Sequence, residues 1–281
     1  MIKHIPMRRV LSFCINYNII VSFASLALYK VTEILFNFNN PHLSLFIFSS
    51  TLFAYNYMRI PVVINLFQGD IYMNTKKYLN NYLILLLAMF FMWYSTTFLG
   101  IKFIKLIIPV ILISLIYPIK FYATKKEYSF RGIPFVKIFT IAFTWAYITL
   151  LAPILYYDIT IDYYVLDFWF QRVLFVLAIS IPFDIRDFDV DMIQTLPNTI
   201  GIYESKIFAW FCLLIIDLLL LIDVISGIIS IPIFIAFFLC IEICSAIIYF
   251  SHQKQSFVFY GLIVESLSII MCLFVLVASF F

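Results

Sequence analysis

Long apolar stretches, separated by short polar clusters, run along the whole chain. Breaking the sequence at these clusters gives the segments 10–36, 43–67, 81–99, 101–119, 134–156, 168–184, 205–222, 228–250 and 256–280. Most are near the length of about 20 residues that a transmembrane helix needs, and none alternates polar with apolar residues as a membrane barrel does. The sequence therefore predicts an all-α fold, a polytopic membrane helical bundle of about nine transmembrane helices. Only Gly100, Lys102 and Lys105 separate the third span from the fourth, which predicts a tight hairpin there.

Composition supports the membrane assignment, since 65% of the 281 residues are hydrophobic, 12% are charged and the mean hydropathy is +1.07. A soluble domain is about a quarter charged, so soluble enzymes and nucleic-acid-binding domains are excluded. The formal charge of +3 implies no polyanionic partner, and the sequence identifies no protein partner. Without repeats or long linkers, residues 1–281 are predicted to form a single integral-membrane domain.

Basic residues predict the orientation of the chain, because Lys and Arg favour cytoplasmic loops. Arg8 and Arg9 precede the first span, and further lysines and arginines fall in every second loop after it. We therefore expect the N-terminus inside and the C-terminus outside, in the cytoplasmic membrane. Two basic residues assigned to the outer side, Lys102 and Arg172, are exceptions to this pattern. Asp167 is assigned to an outer loop.

Three polar clusters are predicted to meet at the inner face, at the ends of the second, fourth and sixth spans. The third cluster holds four acids within 184–191. On a helix, Asp184, Asp187 and Asp191 share one face, and carboxylates one turn apart suit Mg²⁺ bound to substrate phosphates. The alternative is a solvated acidic loop whose carboxylates pair with Arg186 or with a basic loop.

At this cluster the sequence resembles the UbiA-type intramembrane prenyltransferases. The segment 184–201 is similar to their second aspartate-rich pattern, D-x-R-D-x-x-x-D followed by T-L-P and a glycine. The resemblance implies that Asp184, Asp187 and Asp191 are catalytic, with Asp187 and Asp191 binding Mg²⁺ and Asp184 supporting them. It implies that Arg186 contacts a diphosphate or fixes an aspartate. The diphosphate-binding residues that it further implies are Asn56, Tyr117, Lys120 and Arg131.

The first acidic pattern of that family, N-x-x-x-D-x-x-x-D, is incomplete here. Asn56 is followed at those spacings by Ile60 and Ile64, so two carboxylates are missing. Arg59 stands nearby, and one hypothesis is that it replaces one metal in clamping the diphosphate. The other is that Arg59 extends to the inner membrane interface or pairs with an aspartate.

The resulting expectation is transfer of a polyprenyl group from a prenyl diphosphate to a lipophilic, aromatic acceptor within the lipid bilayer. The alternative is a catalytically degenerate relative that binds an isoprenoid or quinone-like lipid without turnover. A transporter is disfavoured because the polar residues gather at one face, and alcohol phosphotransferases because their Asp-Gly pattern is absent from 184–201. Glu242 and Glu265, inside the last two spans, are each expected to face the bundle interior or to be protonated. The alternatives for their role are to orient an acceptor, to pass a proton, or to pair with a hydroxyl such as that of Ser245, Ser266 or Ser268.

Overall fold

The protein is described by a computed structural model covering residues 5–58, 75–116, 120–123, 126–129, 135–188 and 195–281; the side chains of 5–8, 75–78 and both strands are outside the description. Ten helices occur in these ranges: α1 Ile5–Asn16, α2 Ile19–Leu35, α3 Pro41–Tyr57, α4 Thr75–Ile116, α5 Val136–Tyr156, α6 Tyr163–Arg186, α7 Leu196–Ile200, α8 Ile202–Ile225, α9 Ile231–Phe250 and α10 Phe259–Ala278. The prediction of a helical bundle is confirmed.

Six of the described helices are long and apolar enough to cross a membrane: α4, α5, α6, α8, α9 and α10. A seventh span results if α1 and α2, which meet at an angle of 66°, count as one broken span. The chain is therefore a helical integral membrane protein. The predicted count of nine, the orientation of the termini and the identity of the membrane stay predictions.

Side-chain caps set the beginnings of two helices. Asn40 accepts hydrogen bonds through its Oδ1 from the backbone N–H groups of His42 and Leu43, and Pro41 follows it at the first helical position. Asp162 caps α6 in the same way by accepting from the N–H of Val165 at 3.0 Å. These caps satisfy amide groups that have no partner inside the helix.

Helix α4 is kinked at Gly100, where the sequence predicts the hairpin between two spans. The backbone there has φ 71° and ψ −176°, a conformation that only glycine adopts without strain. Just beyond the kink, Lys102 donates to the carboxylate of Asp158 at 2.6 Å and to the carbonyl of Tyr156 at 2.7 Å. The kink in α4 therefore lies beside the loop between α5 and α6.

The long helices pack as a ring of neighbours. The order around the ring is α4, α3, α2, α10, α9, α8, α6 and α5, and α5 closes it by contacting both α4 and α2. Helix α6 is the most buried of the spans. Its apolar residues belong to one core cluster shared with α2, α5, α8, α9 and α10.

Arg172 is buried within α6, and its predicted place on the outer side stays a prediction. Its Nη1 donates to the carbonyl of Leu28 at 2.6 Å and to the hydroxyls of Thr32 and Thr149 at 3.1 Å each. Because Leu28 and Thr32 lie on α2 and Thr149 on α5, one guanidinium joins three helices.

Asp167 is also buried inside α6 rather than lying in an outer loop. Gln171 donates to its carboxylate at 2.5 Å and to the carboxylate of Asp223 on α8 at 2.9 Å. Helix α6 begins at Tyr163, five residues before the predicted span, so charges that looked like loop residues fall on its buried face.

One short hairpin departs from the all-helical prediction. Strands β1 Lys120–Ala123 and β2 Lys126–Ser129 pair antiparallel, with Lys120 opposite Ser129. The hairpin occupies the segment that the sequence assigns to a basic loop after the fourth span.

We expect Arg172→Ala to lower the free energy of unfolding by about 1–3 kcal/mol, because three hydrogen bonds to a charged group are lost and the side-chain volume is left empty. Thermal unfolding of the purified protein in detergent measures the change. The matched control is Arg9→Ala, which removes an exposed arginine and should leave the melting temperature nearly unchanged. Equal shifts for both variants would contradict a structural role for Arg172.

Candidate functional site

A cavity of about 320 Å³ opens between α2, α3, α5, α6 and α10. Its apolar wall includes Trp145, Ile141 and Phe183. The polar residues that line it are Asn18, Tyr55, Lys137, Ser180, Asp184, Arg186, Asp187, Glu265 and Ser268. Three of the predicted site residues, Asp184, Arg186 and Asp187, are therefore brought together in one cavity.

Asp184 is buried near the end of α6 and forms an ion pair with Lys137 at the start of α5. The Nζ of Lys137 lies 2.7 Å from Oδ1 of Asp184, and the two side chains are 12% and 4% exposed. Sequence reasoning missed Lys137 because the pair joins two helices that are far apart in sequence. The available signal was a lysine at the first turn of an apolar span, next to the basic segment.

Arg186 and Asp187 form a bidentate ion pair at the cavity. Nε and Nη2 of Arg186 donate to the two carboxylate oxygens of Asp187 at 2.6 and 2.8 Å. The guanidinium also lies over two rings, 5.4 Å from the centre of Phe183 and 5.7 Å from that of Tyr260. This geometry matches the expectation that Arg186 fixes an aspartate, and contact with a diphosphate stays a prediction.

Helix α6 ends within the acidic segment. Helix α6 ends at Arg186, and Asp187 has φ −89° and ψ 5°, outside regular helix. Asp184 and Asp187 therefore lie near each other at the end of α6. Asp191 lies outside the described residues.

The described carboxylates do not by themselves fit a magnesium ion. Both oxygens of Asp187 accept from Arg186, and Asp184 is paired with Lys137. Within the part of the chain that the structure describes, no three His, Cys, Asp or Glu residues are close enough to hold a metal. Magnesium, with Asp191 as a ligand, stays a prediction from the sequence.

Asn56 is buried beside the cavity and holds the break between α1 and α2. Its Nδ2 donates to the carbonyl of Tyr17 at 2.9 Å, and its Oδ1 accepts from Nδ2 of Asn18 at 3.3 Å. Asn18 has a left-handed backbone with φ 58°, and its side chain lines the cavity. Asn56 therefore supports the cavity wall, and its predicted contact with a diphosphate stays untested.

The remaining predicted site residues cannot be placed in the cavity. Arg59, Tyr117, Arg131 and Asp191 lie outside the described residues, and Lys120 begins β1 with its side chain outside the description. Their predicted roles stay predictions.

An apolar cavity of about 220 Å³ adjoins the polar one. The two share Tyr55, Met58, Ile141 and Trp145 in their walls. A third space of about 680 Å³ between α4 and α5 shares Val110 and Thr144, among others, with the apolar cavity. The charged cavity thus lies next to apolar space on its α4 side.

The two acids of the last long helices differ in position. Glu265 lines the polar cavity, as a residue facing the bundle interior should. Glu242 is exposed on α9 and so does not face the interior, and the alternative that it is protonated stays a prediction. The predicted pairing of Glu265 with Ser268 is absent from the described contacts, because the Ser268 hydroxyl has no hydrogen-bond partner among the described residues.

No protein-family model matches the chain, and no curated protein matches it. Among solved structures, the chain is similar to that of a digeranylgeranylglyceryl phosphate synthase in membranes. The likeness has a TM-score of 0.56 at 14% sequence identity and covers 96% of each chain. The chain therefore shares the fold of that enzyme over almost its whole length.

The Lys137–Asp184 pair should couple strongly. We expect a double-mutant cycle with Lys137→Met and Asp184→Asn to give a coupling energy of about 1–3 kcal/mol, because each single change leaves a buried charge without this partner. Thermal unfolding in detergent gives the four stabilities. The exposed pair Lys102–Asp158 is the matched control, expected below about 1 kcal/mol. Additive effects at Lys137 and Asp184 would contradict the coupling.

Proposed function

We propose that the chain is a membrane-embedded transferase that moves a polyprenyl group from its diphosphate to a lipophilic acceptor. The observation that carries the proposal is the cavity at the end of α6, which brings Asp184, Arg186 and Asp187 together with Lys137 in a fold shared with a prenyltransferase. A charged cavity beside an apolar one suits a substrate with an anionic head and a hydrocarbon tail.

The diphosphate head would bind at Lys137 and Arg186. Arginine presents a planar fork that matches phosphate as well as carboxylate, so a diphosphate oxygen and the Asp187 carboxylate compete for the same donors. Lys137, whose ammonium group is a compact positive charge, lines the same cavity. As the bond between the prenyl carbon and the diphosphate breaks, these cations stabilise the charge that develops on the leaving group.

The prenyl tail would extend into the apolar cavity between α3, α4 and α5. Phe46, Met92 and Ile107 are among its lining residues. Aromatic walls exclude water from the reacting carbon, and Trp145, shared by both cavities, is placed to attract an allylic cation through its ring face.

The proposal includes nine membrane crossings. The apolar stretch Leu79–Ile116 would be about 57 Å long as one straight helix, nearly twice the hydrocarbon thickness, so we assign one crossing to each side of the Gly100 kink. The broken α1 and α2 unit, α3, the two parts of α4, α5, α6, α8, α9 and α10 then make nine. The contact between Lys102 and Asp158 supports this assignment by placing the kink beside an interhelical loop.

A lipid-binding protein without turnover is the second candidate. The incomplete first acidic pattern after Asn56 favours it, together with the engagement of the Asp187 carboxylate by Arg186. The two candidates differ in whether the bound prenyl diphosphate is cleaved.

Arg186→Ala should lower the rate of diphosphate release by about 100-fold, because a charged donor is removed from the leaving group. The assay incubates purified protein in lipid nanodiscs with labelled geranylgeranyl diphosphate, a hydroxylated aromatic acceptor and Mg²⁺. Arg186→Lys keeps the charge but loses the fork, so its rate should be intermediate. A parallel sample with chelator in place of Mg²⁺ tests the metal requirement.

The control for this assay is Lys102→Ala, a cation beside the α4 kink and outside the residues that line the polar cavity. It should retain the parental rate. Saturable binding of geranylgeranyl diphosphate without release of diphosphate, across several acceptors, would favour the lipid-binding alternative. The absence of both prenyl diphosphate binding and diphosphate release would contradict both candidates.

A further inference from the structure

Glu265 and Ser268 bring two polar side chains from the last long helix into the polar cavity. They follow a π-helical turn, Phe259–Val264, at the start of α10. Such turns are rare in helices and occur often at functional sites. The turn is anchored beside the site, since the Tyr260 hydroxyl donates to the carbonyl of His252 at 2.7 Å and its ring contacts Arg186.

Ser268 is fully buried, and its hydroxyl has no hydrogen-bond partner among the residues that the structure describes. Other serines in the long helices satisfy their hydroxyls by donating to the carbonyl four residues earlier, as Ser95, Ser180 and Ser205 do at 2.7 Å. A buried hydroxyl without a partner is costly, so its presence in a cavity wall indicates that a ligand completes it.

Glu265 supplies the complementary group. Its carboxylate interacts electrostatically with Arg186, and both side chains line the polar cavity. A carboxylate accepts hydrogen bonds, whereas a serine hydroxyl both donates and accepts. A ligand hydroxyl satisfies both, because it can donate to Glu265 while it accepts from Ser268. A carboxylate or phosphate at this point would be repelled by Glu265.

We propose that Glu265 and Ser268 form the acceptor subsite, and that it binds the hydroxyl of a neutral, lipophilic molecule. Calling the bound molecule an acceptor rests on the proposed function, but binding at this site does not require turnover. Both side chains are positioning residues in this proposal, acting on the orientation of the acceptor beside the prenyl diphosphate.

The test compares equilibrium binding of 2-naphthol and of its methyl ether, 2-methoxynaphthalene, to the full chain in nanodiscs, corrected for partition into empty nanodiscs. The parent protein should prefer 2-naphthol by about tenfold, because the ether cannot donate to a carboxylate. Glu265→Gln should reduce this preference to about threefold or less, and Ser268→Ala should reduce it by a similar factor.

The matched control is Ser180→Ala, which lines the same cavity but removes a hydroxyl already bonded to the Val176 carbonyl. It should keep the preference. Thermal unfolding adds a second measurement: Ser268→Ala should not lower the melting temperature, since no internal bond is lost. Where prenyl transfer occurs, Ser268→Ala should raise KM for the hydroxyl acceptor more than it lowers kcat.

Equal affinity of the parent for both probes overturns the proposal without reference to any variant. A preference unchanged in Glu265→Gln and Ser268→Ala overturns it as well, and diphosphate release in the same preparation would then leave the transferase function standing. A preference that depends on both residues, in a chain that releases no diphosphate, supports the subsite and contradicts the transferase function.

Discussion

A buried arginine sets the spacing of the helices behind the site. The guanidinium of Arg172 lies in an apolar core, where an unsatisfied charged donor would cost several kcal/mol. Its acceptors are Leu28, Thr32 and Thr149, so α2, α5 and α6 must stay within hydrogen-bonding distance at this level of the bundle. The same three helices supply most of the cavity wall. The shape of the cavity therefore depends on a contact that lies outside it.

The charges within the cavity also have partners, as a buried charge requires. Lys137 compensates the charge of Asp184, and the guanidinium of Arg186 compensates that of Asp187. In both pairs a cation is joined to an aspartate of the acidic segment. Compensation keeps the helices stable without a ligand, but it also means that an anionic head must exchange partners with an aspartate. The Asp187 side chain is 26% exposed and that of Asp184 is 4% exposed, so Asp187 is the better placed of the two to exchange.

Sequence alone predicted the elements better than the contacts between them. The lengths of the apolar segments predicted the helical bundle. The break in α4 at Gly100 was predictable because a short interruption of an apolar stretch can be read directly from the sequence. Asp167 was placed in a loop because a charge just before an apolar run looks like a loop residue until the cap at Asp162 is known. Lys137 could not be paired with Asp184, since helix packing decides which distant residues meet.

Three polar residues of the bundle lie at departures from regular α-helix. Asn18 stands at the left-handed break before α2, Thr149 in the π-helical turn Tyr147–Leu151, and Glu265 directly after the second π-helical turn. A regular helix uses every internal backbone group and turns its side chains by a fixed angle, so a polar residue often faces a neighbour that cannot bond it. A local change of helix type alters that direction at little cost. Helical spacing therefore failed to predict the environment of Ser268, which lines the cavity and whose hydroxyl has no hydrogen-bond partner among the described residues.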